Sequence, residues 1–256
     1  MRPDKQRVGA AFARHYEHYE QAAVVQREMA DRLAEALVEV APQLRVRRAL
    51  EIGVGTGFLT RRLTALYPDA EWWFNDLSPA AFNWLPVGLA QSNTLEGDAE
   101  ALPYPAGLDL LAGASALQWF DNLAGFFPKA RAVMHPGGVL AIACFGQEHF
   151  RELATLAGSP LHYPALSQLG EMATRAGFRI LHTGEWRHPL FFDGARALLD
   201  HLRRTGVNGG GGKSVHIATP AALLAFEERY RSAYAATTDG QLPLTYHPLL
   251  LIAQAS

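Results

Sequence analysis

The chain has 256 residues, 49% of them hydrophobic and 19% charged, with a formal net charge of −2. That length buries a core without covalent staples, and the balance is that of a folded chain rather than a disordered one. One cysteine, Cys144, excludes an internal disulfide framework and a cysteine-built zinc site, and the near-neutral charge argues against a general nucleic-acid binder.

The first forty residues read as helix. Between Arg7 and Val40 there is no proline, and Phe12, Tyr16, Tyr19, Val24, Met29, Leu33 and Leu37 recur near helical spacing until Pro42. Residues 1–20 are too charged for a signal peptide, and no apolar run approaches the roughly 20 residues of a membrane helix. The expected location is cytoplasmic, with no membrane and no nucleic-acid partner.

The pattern then changes. Residues 47–52 are a short strand entering a glycine loop at 53–57, residues 58–67 a helix, and Glu71-Trp72-Trp73-Phe74 an aromatic strand. Alternation continues with a strand at 108–114, a helix at 123–134 and a strand at 138–145. That last run is almost wholly apolar, which suits a parallel strand covered on both faces. A helix at 167–176 and a strand-like stretch at 178–190 follow. Strand and helix alternating in this way predict an α/β fold with a doubly wound sheet. Past Pro189 the alternation stops: a helix at 194–204, a glycine-rich loop at 206–213, a helix at 220–235 and an apolar strand at 244–253 complete the chain.

The strongest chemical signal is Glu51-Ile52-Gly53-Val54-Gly55-Thr56-Gly57, between a strand and a helix. Glycines there let the backbone approach a ligand, and the helix N-terminus offers unpaired N–H groups. A tight turn with no ligand is the plain alternative. A dinucleotide fingerprint needs its third glycine one place later, where Phe58 stands. The better ligand therefore carries an adenosine but no phosphates. Asp76 ends the second strand about twenty residues on, where an acid can accept from both ribose hydroxyls; a helix cap is its other reading. Asp98, after the third strand, can accept from an adenine amine or serve as a turn residue.

Other signals fail on register. The 209–214 run, Gly-Gly-Gly-Gly-Lys-Ser, has Val207 where a phosphate loop needs glycine, so a hinge is expected there. Leu117 replaces the second glycine of a nucleophile elbow at 113–117. The ten histidines form no metal motif, and Cys144 reads as an inert core residue.

Together, residues 51–57, Asp76 and Gly97-Asp98, with Leu117-Gln118-Trp119 and Pro136-Gly137-Gly138, resemble the class I S-adenosylmethionine-dependent methyltransferases. The likeness covers roughly residues 45–185 and the last strand. It implies a Rossmann-like seven-stranded sheet with its last strand antiparallel, and S-adenosyl-L-methionine as cofactor. It also implies that Glu51 steers the methionine end through Gly53, Gly55 and Gly57, and that Asp76, followed by Leu77, holds the ribose. Asp98 with the backbone of Ala99 would read the adenine, and Ser115 with Ala116 would floor the methyl-donor site.

Outside that core, Lys5, Val8, Phe12, Tyr19, Gln21-Ala22 and Gln26 resemble the leading helix of the malonyl-acyl-carrier-protein O-methyltransferase family, which acts at the entry to biotin synthesis. Residues 116–119, 202–207 and 242–247 are similar to other stretches of that family. Val54, Arg203, Pro86 and the 209–212 glycines depart from its pattern. The resemblance implies methylation of the free carboxyl of a malonyl thioester carried on acyl carrier protein; another small carboxylic acid or small-molecule acceptor is the alternative.

A carboxylate acceptor is already ionised, so the reaction needs no general base, only proximity and directional hydrogen bonds. Tyr19, Arg203 and Arg204 are the candidates to hold it, against a packing role for the tyrosine and a solvated face for the arginines. With an acidic carrier, Arg203, Arg204 and Lys213 would instead form a docking patch. The expected organisation is an N-terminal helical lid segment (1–44), a cofactor-binding core (45–192), a helical lid insertion (193–240) and a final core strand (241–256).

Overall fold

The computed structural model describes residues 4–14, 16–89, 92–157, 163–206, 219–234 and 240–256. A seven-stranded sheet is built from β1 (Arg48–Ile52), β2 (Glu71–Asp76), β3 (Asn93–Glu96), β4 (Leu108–Ala114), β5 (Met134–Phe145), β6 (Phe178–Glu185) and β9 (Pro248–Ala255), in the order β3-β2-β1-β4-β5-β9-β6. β9 runs antiparallel to both β5 and β6, while β1, β2, β3, β4 and β5 pair in parallel. This is the expected Rossmann-like α/β sheet with its last strand reversed.

The strands lack period-2 polarity because both faces are covered. Val139, Ala141, Ala143 and Phe145 of β5 join one core with α3 (Val24–Val40) and α4 (Phe58–Leu66). Leu140, Ile142 and Cys144 join the other, with α5 (Leu123–Val133) and α7 (Leu166–Arg175). Cys144 is buried, and burial pushes its thiol up to about 12, so it stays an unreactive core group.

The structure departs from expectation in several places. The single helix expected over 7–40 is three: α1 (Lys5–Ala13), α2 (Tyr16–Ala22) and α3. Ala23 breaks the last two with φ −86° and ψ 51°, and it is fully buried. No glycine or proline marks this break. Packing imposes it, turning the α1 and α2 aromatics onto the core while α3 lies against the sheet, and tertiary contact overrides propensity. The strand-like stretch 178–190 divides into β6 and β7 (His188–Phe192), and the terminal strand divides at His247 into β8 (Leu242–Tyr246) and β9. β7 and β8 pair as a separate antiparallel ribbon, and α8 (Ala195–Arg204) and α9 (Pro220–Tyr234) lie between them in the chain.

α6 (Arg151–Ala157) had no sequence signal of its own, and β3 entered only as the strand expected before Asp98. β3 is a four-residue edge strand whose residues are largely exposed. After Asp76 only a short 3-10 turn, Pro79–Trp84, forms before Pro86. The expected hinge at 209–214 lies outside the described residues.

Candidate active site

Strand order reverses between β1 and β4, and in open α/β sheets the crevice at that point receives ligands. A cleft of about 910 Å³, including its open mouth, lies there. β1 delivers the glycine loop to it. Gly53 and Val54 donate to the Asn75 carbonyl at 2.8 and 3.1 Å, which ties the loop to the end of β2. Gly53 has φ +70°, and a Cβ there would meet the Ala116 methyl at 2.5 Å. Gly55 has φ +52° with open space where its Cβ would stand. Gly57, at φ +81°, caps α4 and is not among the residues that line the cleft.

Three carboxylates line the cleft from the ends of successive strands. Glu51 is 1% exposed, and its Oε2 has no hydrogen-bond partner. Burial pushes its pKa up to about 8; the adjacent Thr60 opposes the rise and the Asp76 charge adds to it. Asp76 accepts the Gly55 N–H at 3.0 Å on one oxygen and the Ser78 N–H at 2.9 Å on the other. Its pKa is raised by burial, against those backbone hydrogen bonds. Asp98 accepts from Lys5 Nζ at 2.8 Å and from the Glu100 N–H at 3.0 Å.

Sequence reasoning missed how the third acid is held. Lys5 also pairs with Glu100, whose oxygens accept the Asp121 and Asn122 N–H groups at 2.7 and 2.8 Å. Lys129 donates to the carbonyls of Ala99, Glu100 and Leu102 at 2.7, 2.9 and 2.6 Å. Asn75 Nδ2 reaches the carbonyls of Leu95 and Gly97 at 2.7 and 3.0 Å. A lone lysine after Phe126-Phe127-Pro128 was the available signal for Lys129, but its backbone partners carry none.

α1 and α2 roof the cleft with aromatic rings. Phe12 meets Tyr19 and Trp119 edge-on at 5.8 and 5.9 Å, and Tyr19 stacks on Phe58 at 6.1 Å. Tyr19 is half-buried and lines the cleft. Burial, with the Asp76 charge, pushes its pKa far up, so the phenol stays protonated and can only donate or accept a hydrogen bond. A second, tighter cavity of about 350 Å³, counting the space open to solvent, shares Phe12, Tyr19, Gln26, Ser115 and Trp119 with the cleft. Of the residues expected at the site, the cleft therefore gathers Tyr19, Glu51, Gly53, Gly55, Asp76, Leu77, Asp98, Ala99 and Ser115.

Arg203 and Arg204 are not brought there. Arg203 is 60% exposed and pairs with Asp200 at 2.8 Å, and Arg204 reaches Gln21 Oε1 at 3.4 Å from the surface. Lys213 lies outside the described residues.

This donor set fits an adenosyl amino acid. The unpartnered Glu51 oxygen suits an ammonium, Asp76 beside the glycine loop suits ribose hydroxyls, and Asp98 beside the backbone of Ala99 suits an adenine amine.

A family profile described as a methyltransferase domain matches residues 50–142. A malonyl-[acyl-carrier protein] O-methyltransferase from Prosthecochloris aestuarii is 34% identical over 244 residues, covering 93% of this chain and 89% of that protein. One from Haemophilus influenzae is 33% identical, covering 99% and 95%. In fold, the chain is similar to a Haemonchus contortus phosphoethanolamine N-methyltransferase solved with S-adenosyl-L-methionine, at TM-score 0.52 and 18% identity, over 88% of this chain and 52% of that one.

Proposed function

The chain belongs to the malonyl-[acyl-carrier protein] O-methyltransferase family, and we propose from that premise that it methylates the free carboxyl of a malonyl thioester, the step that starts biotin synthesis. S-adenosyl-L-methionine is the cofactor. The observation that carries the reading is one cleft lined by Glu51, Asp76 and Asp98 from successive strand ends, continuous at Tyr19 with a second cavity.

Bound in the cleft, S-adenosylmethionine supplies a methyl carbon whose bond to sulfur breaks as an acceptor carboxylate oxygen bonds to it, the electron pair leaving with sulfur and no proton moving. Glu51 binds the amino-acid end, Asp76 the ribose, and Asp98 with Ala99 the adenine. Leu77 and Gly53 shape the walls. Ser115, at the end of β4, floors the junction of the two cavities. Tyr19 stands at that junction as a neutral donor that orients a carboxylate without cancelling its charge. Phe12, Tyr19, Phe58 and Trp119 exclude water, so that proximity supplies most of the rate, on the order of 7–11 kcal/mol for well-oriented partners.

Residues 1–44 and 193–240 act as the lid over the core 45–192, and of 241–256 only β9 returns to the sheet. The substrate arrives on acyl carrier protein, and the exposed Arg203 and Arg204 meet the acidic carrier rather than the malonyl group. Among the described residues no helix is long and apolar enough to cross a membrane.

Calorimetry with S-adenosylhomocysteine and NAD, followed by turnover with malonyl thioesters, tests the reading. Binding of the first ligand alone, with methyl transfer to the malonyl carboxyl, is the expected result. Binding of NAD alone, or cofactor binding with no malonyl turnover, refutes it.

A further inference from the structure

The smaller cavity holds polar atoms that the cofactor site does not use. His149 lines it and is 3% exposed, yet its Nδ1 has no hydrogen-bond partner. Gln118 lines it too. Its Nε2 donates to the Ser115 carbonyl at 2.8 Å, which leaves a buried Oε1 with no partner. Buried polar atoms in folded proteins are nearly always paired, and an exception calls for a reason.

The imidazole is held in one place. It stacks between Phe145 at 3.9 Å and Phe150 at 3.8 Å, with Tyr163 and Tyr246 edge-on at 4.9 and 5.1 Å. The turn that carries it is strained. Phe150 has φ +55°, and its N–H is tied to the Thr245 carbonyl at 2.7 Å, while the His149 N–H bonds the Gly146 carbonyl at 2.9 Å. The other left-handed non-glycine residue among the described ones is Ser115, at φ +57°. It lines both cavities. Strain of this kind persists where surrounding structure enforces it, and it clusters at functional sites. Ser115 lines this cavity itself, and Phe150 directly follows His149, which lines it.

We propose that the smaller cavity is the acceptor end of the site, and that His149 binds the malonyl group of the thioester there, with the Gln118 carbonyl in the cavity wall. The assignment rests on the methyl-transfer reading above and names the acceptor side of that same site. A histidine placed only to fill space between Phe145 and Phe150 would be better served by a third phenylalanine, because its ring nitrogens are desolvated for nothing. Burial holds the pKa of His149 well below its ordinary value, with a contribution from His247, so the ring is neutral at physiological pH. A neutral imidazole presents one N–H and one lone pair. Its N–H can bond a carboxylate or thioester oxygen in a dry pocket without neutralising the charge that must attack. The Gln118 carbonyl on the same wall rejects a second anion and accepts from a bridging water. A guanidinium at this position would bind the carboxylate more tightly and dull it as a nucleophile.

His149→Phe keeps the ring stack and removes both nitrogens. The parent and this variant are compared for S-adenosylhomocysteine affinity, melting temperature and methylation of malonyl-coenzyme A. The expected result is a kcat/KM at least tenfold lower, with cofactor affinity within twofold of the parent and a melting temperature equal or higher. A folded variant with kcat/KM within twofold of the parent overturns the assignment, as does a loss that follows a matching loss of cofactor affinity. If His149→Phe does not fold, Gln118→Met decides by the same measure. A parent that binds S-adenosylhomocysteine but methylates no malonyl thioester overturns the underlying reading and this assignment with it.

Discussion

Replacing Glu51 by glutamine removes a buried carboxylate from the cleft while keeping its shape. The Glu51 pKa stands at about 8 against an ordinary 4.5, a displacement caused chiefly by burial. Below pH 4.5 the folded and unfolded chains both hold this proton. Between 4.5 and 8 only the folded chain does, so folding binds a proton and stability falls as pH rises. Above 8 both have lost it. The difference integrates to an upper limit of about 5 kcal/mol lost across that window. Glu51→Gln does not titrate, so its stability relative to the parent should rise by at least about 2 kcal/mol between pH 5 and 8.5. Urea unfolding followed by circular dichroism at both pH values measures this, and the other titrating groups cancel in the comparison. A difference between variant and parent that stays constant within about 0.5 kcal/mol from pH 5 to 8.5 would refute the burial argument, since extrapolation error alone reaches that size. The same buried acid should ionise when an ammonium group binds beside it. Cofactor binding to the parent at pH 7 should then release about nine-tenths of a proton, read as buffer-dependent calorimetric heat, and Glu51→Gln should release none.

The remaining expectations concern the rest of the cleft. Asp76→Ala leaves the Gly55 and Ser78 N–H groups without their acceptor, which costs about 1–3 kcal/mol. S-adenosylhomocysteine affinity should fall at least tenfold by calorimetry, and an affinity within twofold of the parent removes Asp76 from the site. Gly206 has φ +72°, and a Cβ there would stand 2.8 Å from the Phe12 ring. Gly206→Ala should destabilise the chain by about 1–3 kcal/mol in thermal melts and raise the KM for both substrates as Phe12 shifts. Charge reversal at Arg203 and Arg204 together should raise the KM for malonyl-acyl carrier protein at least fivefold and leave that for malonyl-coenzyme A unchanged. Added salt should erase the difference; equal effects on both acceptors count against a docking role.

The cofactor half of the cleft was legible because its chemistry is local. Glu51 to Gly57 sits in one loop, and the left-handed angles at Gly53, Gly55 and Gly57 are what those glycines permit. Asp76 and Asp98 each follow a strand end, so strand order alone brings them to one crevice. The supports of these residues were not legible. Lys5 reaches Asp98 across 93 residues of sequence, and Lys129 works on backbone carbonyls about thirty residues earlier in the chain. Nothing in a carbonyl's own residue type records that it is being held.

The smaller cavity was hidden for a different reason. Its residues owe their positions to breaks that hydrophobic periodicity passes over. Residues 7–40 keep helical spacing through Ala23, and residues 244–253 stay apolar through His247 apart from one threonine and one tyrosine, so each reads as one element where the chain makes two or more. Yet the first break carries Phe12 and Tyr19 onto the cleft. The second lets the Thr245 and His247 carbonyls hold the turn of His149 by the Phe150 and Gly146 N–H groups, at 2.7 and 2.8 Å. The two arginines, chosen on charge, stayed at the surface because α8 presents them in its last turn, where a helix favours cations with or without a ligand. Charge therefore pointed outward, to the exposed last turn of α8. The unpartnered polar atoms of His149 and Gln118 in the smaller cavity are neutral, and a buried neutral histidine looks in sequence like any other.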